Sequence, residues 1–382
     1  MATRETSSTS WFGRLGQSIK GVVIGIILFI IGFPVLWINE KRSAETIAGL
    51  NQLLKEVVTV DADNPGSEYE GLPVHTTGLA TTDEILADAE FGITANAIKL
   101  TRDVQMLQWQ EKKVTETRKK LGGGEETVTT YDYEKIWANR WIDSNRFKEE
   151  GYINPRFPFE ESTLVAKNVT LGNFKLPPFL INQMNRSETI TLNDETFQNL
   201  PEAKRSQFAV VGNSYYRGDH SSPQIGDFQV TFRLVEPGVV SVIANQKGKT
   251  FERYLAKNGK SFGLLAMGEL GKEGVVQIEQ EKNKLFTWIL RFVGWLVMFI
   301  GLATILRPLS VLADVVPLIG NVVGAGTGFI AGILTAAISL MVIAIAWVVY
   351  RPLLSIPLGI VALILIFFAF TRLRKAKAKA SQ

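Results

Sequence analysis

Two histidines, His75 and His220, are the only side chains here whose ordinary pKa lies near neutral pH. His220 follows Asp219 and precedes Ser221 and Ser222, so a base stands beside hydroxyl groups that it could activate as nucleophiles. No nucleophile elbow, metal-ligand spacing or phosphate-binding loop accompanies either histidine. We therefore interpret the Asp219-His220 pair as part of a turn between strands and predict no catalytic residue.

The absence of cysteine narrows the possible chemistry further. Without a thiolate, the chain has no structural disulfides, cysteine nucleophiles, iron–sulfur clusters or thiolate zinc sites. The glycines at 122–124 lack the Lys-Ser/Thr pair that completes a phosphate-binding loop, so they indicate a hairpin tip. The formal charge of +4 and the isoelectric point near 9.0 owe much to the C-terminal tail. They suggest anionic lipid headgroups as partners, not nucleic acid, and we predict no metal, no cofactor and no enzymatic activity.

Long segments without ionisable side chains dominate both ends of the chain. They are residues 21–38, 292–306, 315–350 and 352–370. A helix rises 1.5 Å per residue, so roughly 20 apolar residues cross about 30 Å of hydrocarbon. The sequence therefore predicts an integral membrane protein. Its membrane-spanning helices are expected at 21–38, 285–306, 326–349 and 352–370, and the first is interpreted as an uncleaved signal anchor.

The positive charge of the C-terminus predicts the orientation of these helices. Basic residues close to a span remain in the cytosol, and the tail at 371–382 contains five of them and no acid. Four spans then place the 1–20 tail in the cytosol as well, and residues 39–284 outside it, in a periplasm or an organelle lumen. The basic residues are also candidate contacts for lipid headgroups, although lysine-rich tails are ordinary topology determinants too. They are Arg372, Arg374, Lys375, Lys377 and Lys379.

The region between the first two spans is predicted to be rich in β-strands. Apolar residues alternate with polar ones in 98–106 and again in 228–234, as in strands with one buried face. The 99–137 stretch is expected to form one long hairpin with a polar, flexible tip. Such a hairpin leaves an edge strand that invites pairing with another chain.

Helical segments are predicted to flank and interrupt these strands. Spacing of apolar residues predicts a stalk at 43–60 that continues the first span, and a charged helix at 270–284 that leads into the second. Shorter helices are expected at 81–89 and 194–204. The predicted fold is thus α-helical in the membrane, with one N-terminal and three C-terminal spans, and carries a large extracytosolic β-rich domain of the α+β class.

The segment at 307–325 is rich in proline and glycine and is predicted to be an interfacial or re-entrant connector. Arg307 and Asp314 flank the polar kink of this connector and could pair, and the side chain of Arg291 can extend toward the membrane interface. All three are candidate interface charges, and for Arg307 and Asp314 we favour a structural role over a part in an ion pathway. Glycines at positions 324, 328 and 332 share one helical face and favour close helix packing, within the chain or between copies. These glycines are Gly324, Gly328 and Gly332.

Several motifs together resemble the transmembrane protein 43 family, also called Luma, over nearly the whole chain. The matching segments are Asn39-Glu40, 102–111, 225–232, 240–244, Thr287-Trp288, Leu290-Arg291, Gly294-Trp295, Met298-Phe299, Asp314, Pro317, Trp347 and 350–353. The resemblance implies four spans, a large lumenal or periplasmic domain and cytosolic termini. In animals the family resides in the endoplasmic reticulum and inner nuclear membrane, self-associates and binds emerin and lamins. It brings no catalytic motif.

Two classes of function fit this sequence. The first is a non-enzymatic membrane scaffold that self-associates and organises membrane protein complexes through its outer domain, in contact with lipids and other membrane proteins. The alternative is a channel or transporter lined by the three C-terminal spans, which needs polar residues near the middle of the membrane. The only candidates at that depth are Thr327, Thr335 and Ser339. The compact, cysteine-free chain favours a bacterial inner membrane protein with a periplasmic domain.

Overall fold

A computed structural model describes residues 3–315 and 317–352 of the chain. Among the described residues, one compact unit comprises 3–5, 50–115 and 129–279, and we call it the β unit. A second compact unit comprises 6–49, 116–128 and the described residues from 280 onward, and we call it the helical unit. The predicted fourth span at 352–370 and the five basic tail residues lie outside the described residues, apart from position 352.

Six α-helices form in the described part of the chain. They are α1 (Trp11–Glu56), α2 (Pro178–Ile181), α3 (Asp194–Gln198), α4 (Glu202–Arg205), α5 (Lys272–Ala313) and α6 (Pro317–Tyr350). The three long ones contain stretches that are long and apolar enough to cross a membrane, within Trp11–Glu56, Lys272–Ala313 and Val323–Tyr350. Their outward surfaces are apolar, with Ile27, Phe292 and Ile333 about half exposed. Apolar side chains facing outward at this density are characteristic of helices solvated by lipid.

Nineteen strands are described. They are β1 (Thr3–Thr9), β2 (Val58–Thr59), β3 (Pro73–Thr81), β4 (Ile85–Asp88), β5 (Ile93–Asn96), β6 (Lys99–Lys119), β7 (Glu125–Ala138), β8 (Ser162–Val165), β9 (Thr170–Leu171), β10 (Phe174–Lys175), β11 (Glu188–Thr189), β12 (Ala209–Val211), β13 (Ser214–Arg217), β14 (Phe228–Val235), β15 (Gly238–Lys247), β16 (Thr250–Glu252), β17 (Tyr254–Leu255), β18 (Ser261–Phe262) and β19 (Leu264–Met267). This content confirms the β-rich region expected between the first two spans.

Two larger sheets organise the strands. The first follows the order β1-β7-β6-β14-β13-β12, with β8 on β6 and β11 on β14. The second follows β19-β15-β16-β10-β9-β3-β2, with β15 also paired to β3 along its length. Two small hairpins, β4–β5 and β17–β18, complete the set.

The predicted alternation on β6 is confirmed by burial. Leu100, Val104 and Met106 are buried and belong to one continuous apolar core, while the residues between them are more exposed. Arg102 falls in the same buried phase, and its guanidinium lies 3.1 Å from the carboxylate of Asp88. A buried charge is tolerated when such a partner satisfies it, so Asp88 explains why the strand keeps its register through a charged position.

Some local expectations differ from the structure. The predicted helix at 81–89 is wrong, because Ile85–Asp88 pairs with Ile93–Asn96 as a hairpin. The turn is fixed by the Phe91 amide, which donates to the carbonyl and the carboxylate of Asp88, and by Gly92 with φ +65°. The expected 307–325 connector is helical on both sides of a turn at Asp314 and Val315, because α5 continues through Pro308 to Ala313.

Candidate functional site

Close contact between α1 and α5 organises the helical unit, and it depends on glycine. A Cβ added at Gly301 would lie 2.5 Å from the backbone nitrogen of Phe29 and 2.7 Å from the carbonyl oxygen of Gly25. Two helical turns further along α1, a Cβ at Gly32 would lie 3.2 Å from the carbonyl oxygen of Gly294. Small residues let membrane helices approach this closely, so these two crossing points set the distance between the helices.

The predicted glycine stripe on α6 has a different distribution of contacts. A Cβ at Gly324 would meet Ser310 at 3.7 Å, and one at Gly332 would meet Phe299 at 3.7 Å. Both glycines therefore face α5 within the same chain. Gly328 has no neighbouring heavy atom within 4 Å of such a Cβ, so of the three it alone borders open space among the described residues.

A buried carboxylate, Glu40, joins the three long helices near one end of the helical unit. Its side chain is 0% exposed. Arg291 of α5 donates to both carboxylate oxygens, at 2.6 and 2.9 Å, and the indole Nε1 of Trp347 of α6 donates at 2.6 Å. A bidentate arginine with an added indole donor satisfies a carboxylate well in a low-dielectric site. Arg291 thus pairs with Glu40, and its position at a membrane interface stays a prediction.

Two further arginines lie close to Glu40 but bind neutral acceptors. Arg42 donates to the side-chain oxygens of Asn283 at 2.9 Å and Thr287 at 3.2 Å, and its guanidinium lies over the ring of Phe286. Arg351 donates to the hydroxyl of Ser43 at 2.9 Å. No carboxylate pairs with either arginine among the described residues. This end of the helical unit therefore carries more positive than negative charge.

A second buried carboxylate, Asp314, lies at the turn between α5 and α6. It is 0% exposed, and it accepts from Arg14 at 2.5 Å and from Lys119 at 2.6 Å. Arg14 also donates to the carbonyl of Gly123 at 2.6 Å, and its Nε lies 2.7 Å from Glu125, a charge contact without hydrogen-bond alignment. We call these five residues the Asp314 cluster; they connect the start of α1, the β6–β7 hairpin tip and the end of α5.

The Asp314 cluster corrects the expected pair of Arg307 with Asp314. Arg307 is exposed, and Asp314 pairs with Arg14 and Lys119. The cluster also bears on topology, since the sequence assigns Arg14 and Asp314 to the cytosolic side and the hairpin to the outer side. Gly123 and Glu125 contact Arg14, and Lys119 contacts Asp314. These contacts place the hairpin tip at the same end of the helical unit as Arg14.

The two carboxylates mark opposite ends of the apolar helices. The helical rise between Arg14 and Glu40 on α1 is roughly 39 Å. A bilayer with its headgroup regions is about 40–45 Å thick. The Asp314 cluster and the Glu40 contacts therefore have the separation expected of two membrane interfaces.

Hydroxyl groups in α6 form local hydrogen bonds. Thr335 donates to the carbonyl of Ala331 at 2.7 Å, and Thr327 donates to that of Gly324 at 3.0 Å. Ser339 lies 3.6 Å from the sulfur of Met298. In an apolar environment a threonine hydroxyl usually donates a hydrogen bond to a carbonyl of its own helix.

The two histidines lie far apart in the sequence of the β unit, His75 on a strand and His220 in the turn after β13. His75 on β3 is 5% exposed, and its Nε2 lies 2.9 Å from the carbonyl oxygen of Leu270. Burial lowers the pKa of His75, which keeps its ring neutral so that Nε2–H can donate to that carbonyl. His220 is exposed and packs edge-on against Tyr216. The carboxylate of Asp219 accepts from the amide and hydroxyl of Ser221, as in a turn.

Long apolar helices and a large β-rich polar region define an integral membrane protein. Comparison with known proteins then gives its family: the family model described as Transmembrane protein 43 matches residues 106–352. Mouse Transmembrane protein 43 is 31% identical over 378 residues, covering 95% of this chain and 93% of the mouse protein. The chain belongs to the transmembrane protein 43 family, which confirms the resemblance seen in its motifs.

Other relatives give the same result. Human Transmembrane protein 43 is 30% identical over 388 residues, covering 98% of this chain and 95% of the human protein. The Transmembrane protein 43 homolog of Drosophila melanogaster is 29% identical over 342 residues, covering 87% of this chain and 89% of the fly protein. These relatives are animal proteins and lend no support to a bacterial origin. No solved structure shows a significant match to the chain.

Proposed function

We propose that this protein is a non-enzymatic membrane scaffold that self-associates and organises membrane protein complexes through its β unit. The observation that carries the proposal is the local pairing of the polar groups in the helical unit. Glu40 and Asp314 are each held by arginine or lysine of the same unit. Such pairs stabilise one arrangement of helices and leave neither Glu40 nor Asp314 free to move with a transported ion.

The channel alternative is less well supported. It requires polar residues along the middle of the membrane, and Thr327 and Thr335 donate to their own helix.

The location of the scaffold is part of the proposal. Basic residues at 371–382 favour a cytosolic C-terminus, and an outer or lumenal β unit then follows from an even number of spans. The cysteine-free sequence favours a location in a bacterial inner membrane with a periplasmic domain. The animal relatives favour the endoplasmic reticulum and inner nuclear membrane instead.

Stoichiometry tests self-association directly. Native mass spectrometry or mass photometry of the detergent-extracted protein, and of the protein in lipid nanodiscs, should give a mass above that of one 42.3 kDa chain. Gly328→Leu should reduce the oligomer, because Gly328 borders open space and its substitution leaves the α5/α6 contacts of Gly324 and Gly332 in place. A monomer in every detergent and in nanodiscs would contradict the proposal.

A further inference from the structure

An apolar groove lies between α1 and α6 on the side of the Glu40 contacts. Its volume is about 480 Å³, and its walls are Phe33, Pro34, Trp37 and Ile38 of α1 with Ile338, Met341, Val342 and Ile345 of α6. These eight described residues are all apolar or aromatic. Ile38, Met341 and Ile345 are each more than half exposed, so the groove is open on one side to the surroundings of the helices.

Aromatic and basic residues stand at one end of this groove. The ring of Trp37 packs against the ring of Tyr350 at 5.8 Å. The next residue, Arg351, lies over the ring of Trp347 and donates to Ser43. Tryptophan, tyrosine and arginine in this arrangement are typical of the level of lipid headgroups, with hydrocarbon beginning a few ångströms deeper.

The positive charge at this end is incompletely balanced. Arg291 neutralises Glu40, while the hydrogen bonds that Arg42 and Arg351 donate to described side chains end on amide and hydroxyl oxygens. Ser43 and Thr287, hydrogen-bonded to each other at 2.9 Å, connect the two arginines. Two guanidinium groups connected through Ser43 and Thr287, neither of them hydrogen-bonded to a carboxylate of the described residues, are complementary to a phosphate, which guanidinium binds through paired hydrogen bonds.

We propose that this groove binds an anionic phospholipid, with an acyl chain between α1 and α6 and its phosphate on Arg351 in the positive field of Arg42. The chemistry of both parts supports one occupant, since a hydrocarbon chain fits the apolar walls and a phosphate complements the arginines. Neither part alone selects a phospholipid. The proposal uses none of the basic residues at 371–382 and does not depend on self-association.

Lipid titration of the full-length protein tests the proposal. Delipidated protein in mild detergent is titrated with phosphatidylglycerol, with phosphatidylcholine of the same acyl chains, and with the matching diacylglycerol, and bound lipid is counted by native mass spectrometry. Phosphatidylglycerol should bind most tightly. Arg351→Gln should weaken its binding on the order of tenfold, as expected for loss of a charge-assisted hydrogen bond, and Arg351→Lys should restore part of the affinity.

A matched pair of substitutions tests the groove itself. Met341→Trp fills the groove and should reduce binding of phosphatidylglycerol, whereas Leu340→Trp places the same side chain at the neighbouring exposed position, 58% exposed, and should not. Circular dichroism and size-exclusion profiles that match the parent protein show that each variant is folded. If Arg351→Gln is not folded, binding of phosphatidylglycerol to Arg351→Lys and Met341→Trp tests the proposal instead.

Three results would overturn the proposal. The first is equal affinity for phosphatidylglycerol and phosphatidylcholine, which would show that the arginines do not select the headgroup. The second is unchanged binding in both Arg351→Gln and Met341→Trp. The third is efficient cross-linking of a cysteine at position 341 to one within 352–370 that added lipid does not reduce, which would show that the chain's own last apolar segment occupies the groove.

Discussion

Arg14 and Asp314 form a buried ion pair with 2.5 Å between the guanidinium NH2 and the carboxylate Oδ2, although 300 positions separate them in the chain. Asp314 is 0% exposed and Arg14 is 8% exposed. Lys119 of the hairpin tip completes the coordination of the carboxylate. One aspartate therefore holds the start of the first long helix, the hairpin tip and the α5–α6 turn together.

Removal of this carboxylate should destabilise the helical unit. Asp314→Asn leaves Glu125 as the one carboxylate of the Asp314 cluster beside the two cations Arg14 and Lys119, and loss of one partner from a buried pair costs roughly 3–5 kcal/mol. We expect a clear decrease in the thermal unfolding midpoint of the purified protein in detergent. Arg307→Gln, at an exposed position, is the control and should leave the midpoint nearly unchanged. Similar midpoints for the two variants would show that the pair contributes little.

The hairpin tip should share one side of the membrane with the start of α1. Leu121 at the tip is 88% exposed and Ser10 is exposed beside Trp11, so both suit cysteine labelling in a chain without cysteine. Leu121→Cys and Ser10→Cys should react alike with a membrane-impermeant thiol reagent on intact cells, whichever side Ser10 occupies. Labelling of one but not the other would contradict the docked tip.

The same reagent tests the proposed orientation. Ser144→Cys should react on intact cells or spheroplasts, because residues 39–284, apart from the hairpin tip that contacts Arg14 and Asp314, are expected outside the cytosol. Ser381→Cys should react only after permeabilisation, since the basic tail is expected inside. The opposite pattern would reverse the topology.

Regular local patterns in the sequence predicted several of these features. Apolar length gave the long helices, and alternation gave the buried positions Leu100, Val104 and Met106, because each depends only on neighbours in the chain. The 81–89 stretch misled, since its Thr-Thr-Asp-Glu start followed by leucine and alanine imitates a capped helix. Pairing of Ile85–Asp88 with Ile93–Asn96 outweighs that weak propensity.

Partners across long distances in sequence could not be predicted in this way. Glu40 and Arg291 were visible as charges beside apolar segments, but their pairing depends on how α1 and α5 pack. The glycines that permit this packing did carry a signal: Gly25 and Gly32 on α1, and Gly294 and Gly301 on α5, are each two helical turns apart. The three glycines of α6 form a more conspicuous pattern in the sequence, because they are four residues apart and those of α1 and α5 are seven apart.

Substitution of Gly301, where α1 and α5 cross closely, should have a larger effect on stability than substitution of Gly328. Gly301→Ala places a methyl group 2.5 Å from a backbone nitrogen of α1, which cannot move aside as a side chain can. We expect α1 and α5 to separate locally, the free energy of unfolding to fall by about 1–3 kcal/mol, as is typical of overpacking, and the unfolding midpoint to decrease. Gly328→Ala meets open space and should match or slightly exceed the parent protein, because alanine favours a helix. Equal effects at both positions would argue against the glycine contact.

Acid should destabilise the β unit partly through His75. Burial holds the pKa of His75 below its usual value near 6.5 in the folded protein, so the unfolded chain binds a proton at higher pH than the folded chain does. Stability is therefore lost as the pH falls from about 6.5 toward the folded pKa. His75→Gln removes this contribution, and its unfolding midpoint should fall less than that of the parent between about pH 7.5 and about pH 5.5. His220→Gln, at an exposed position, should follow the parent. Superimposable pH profiles for His75→Gln and the parent would show that protonation of His75 does not contribute.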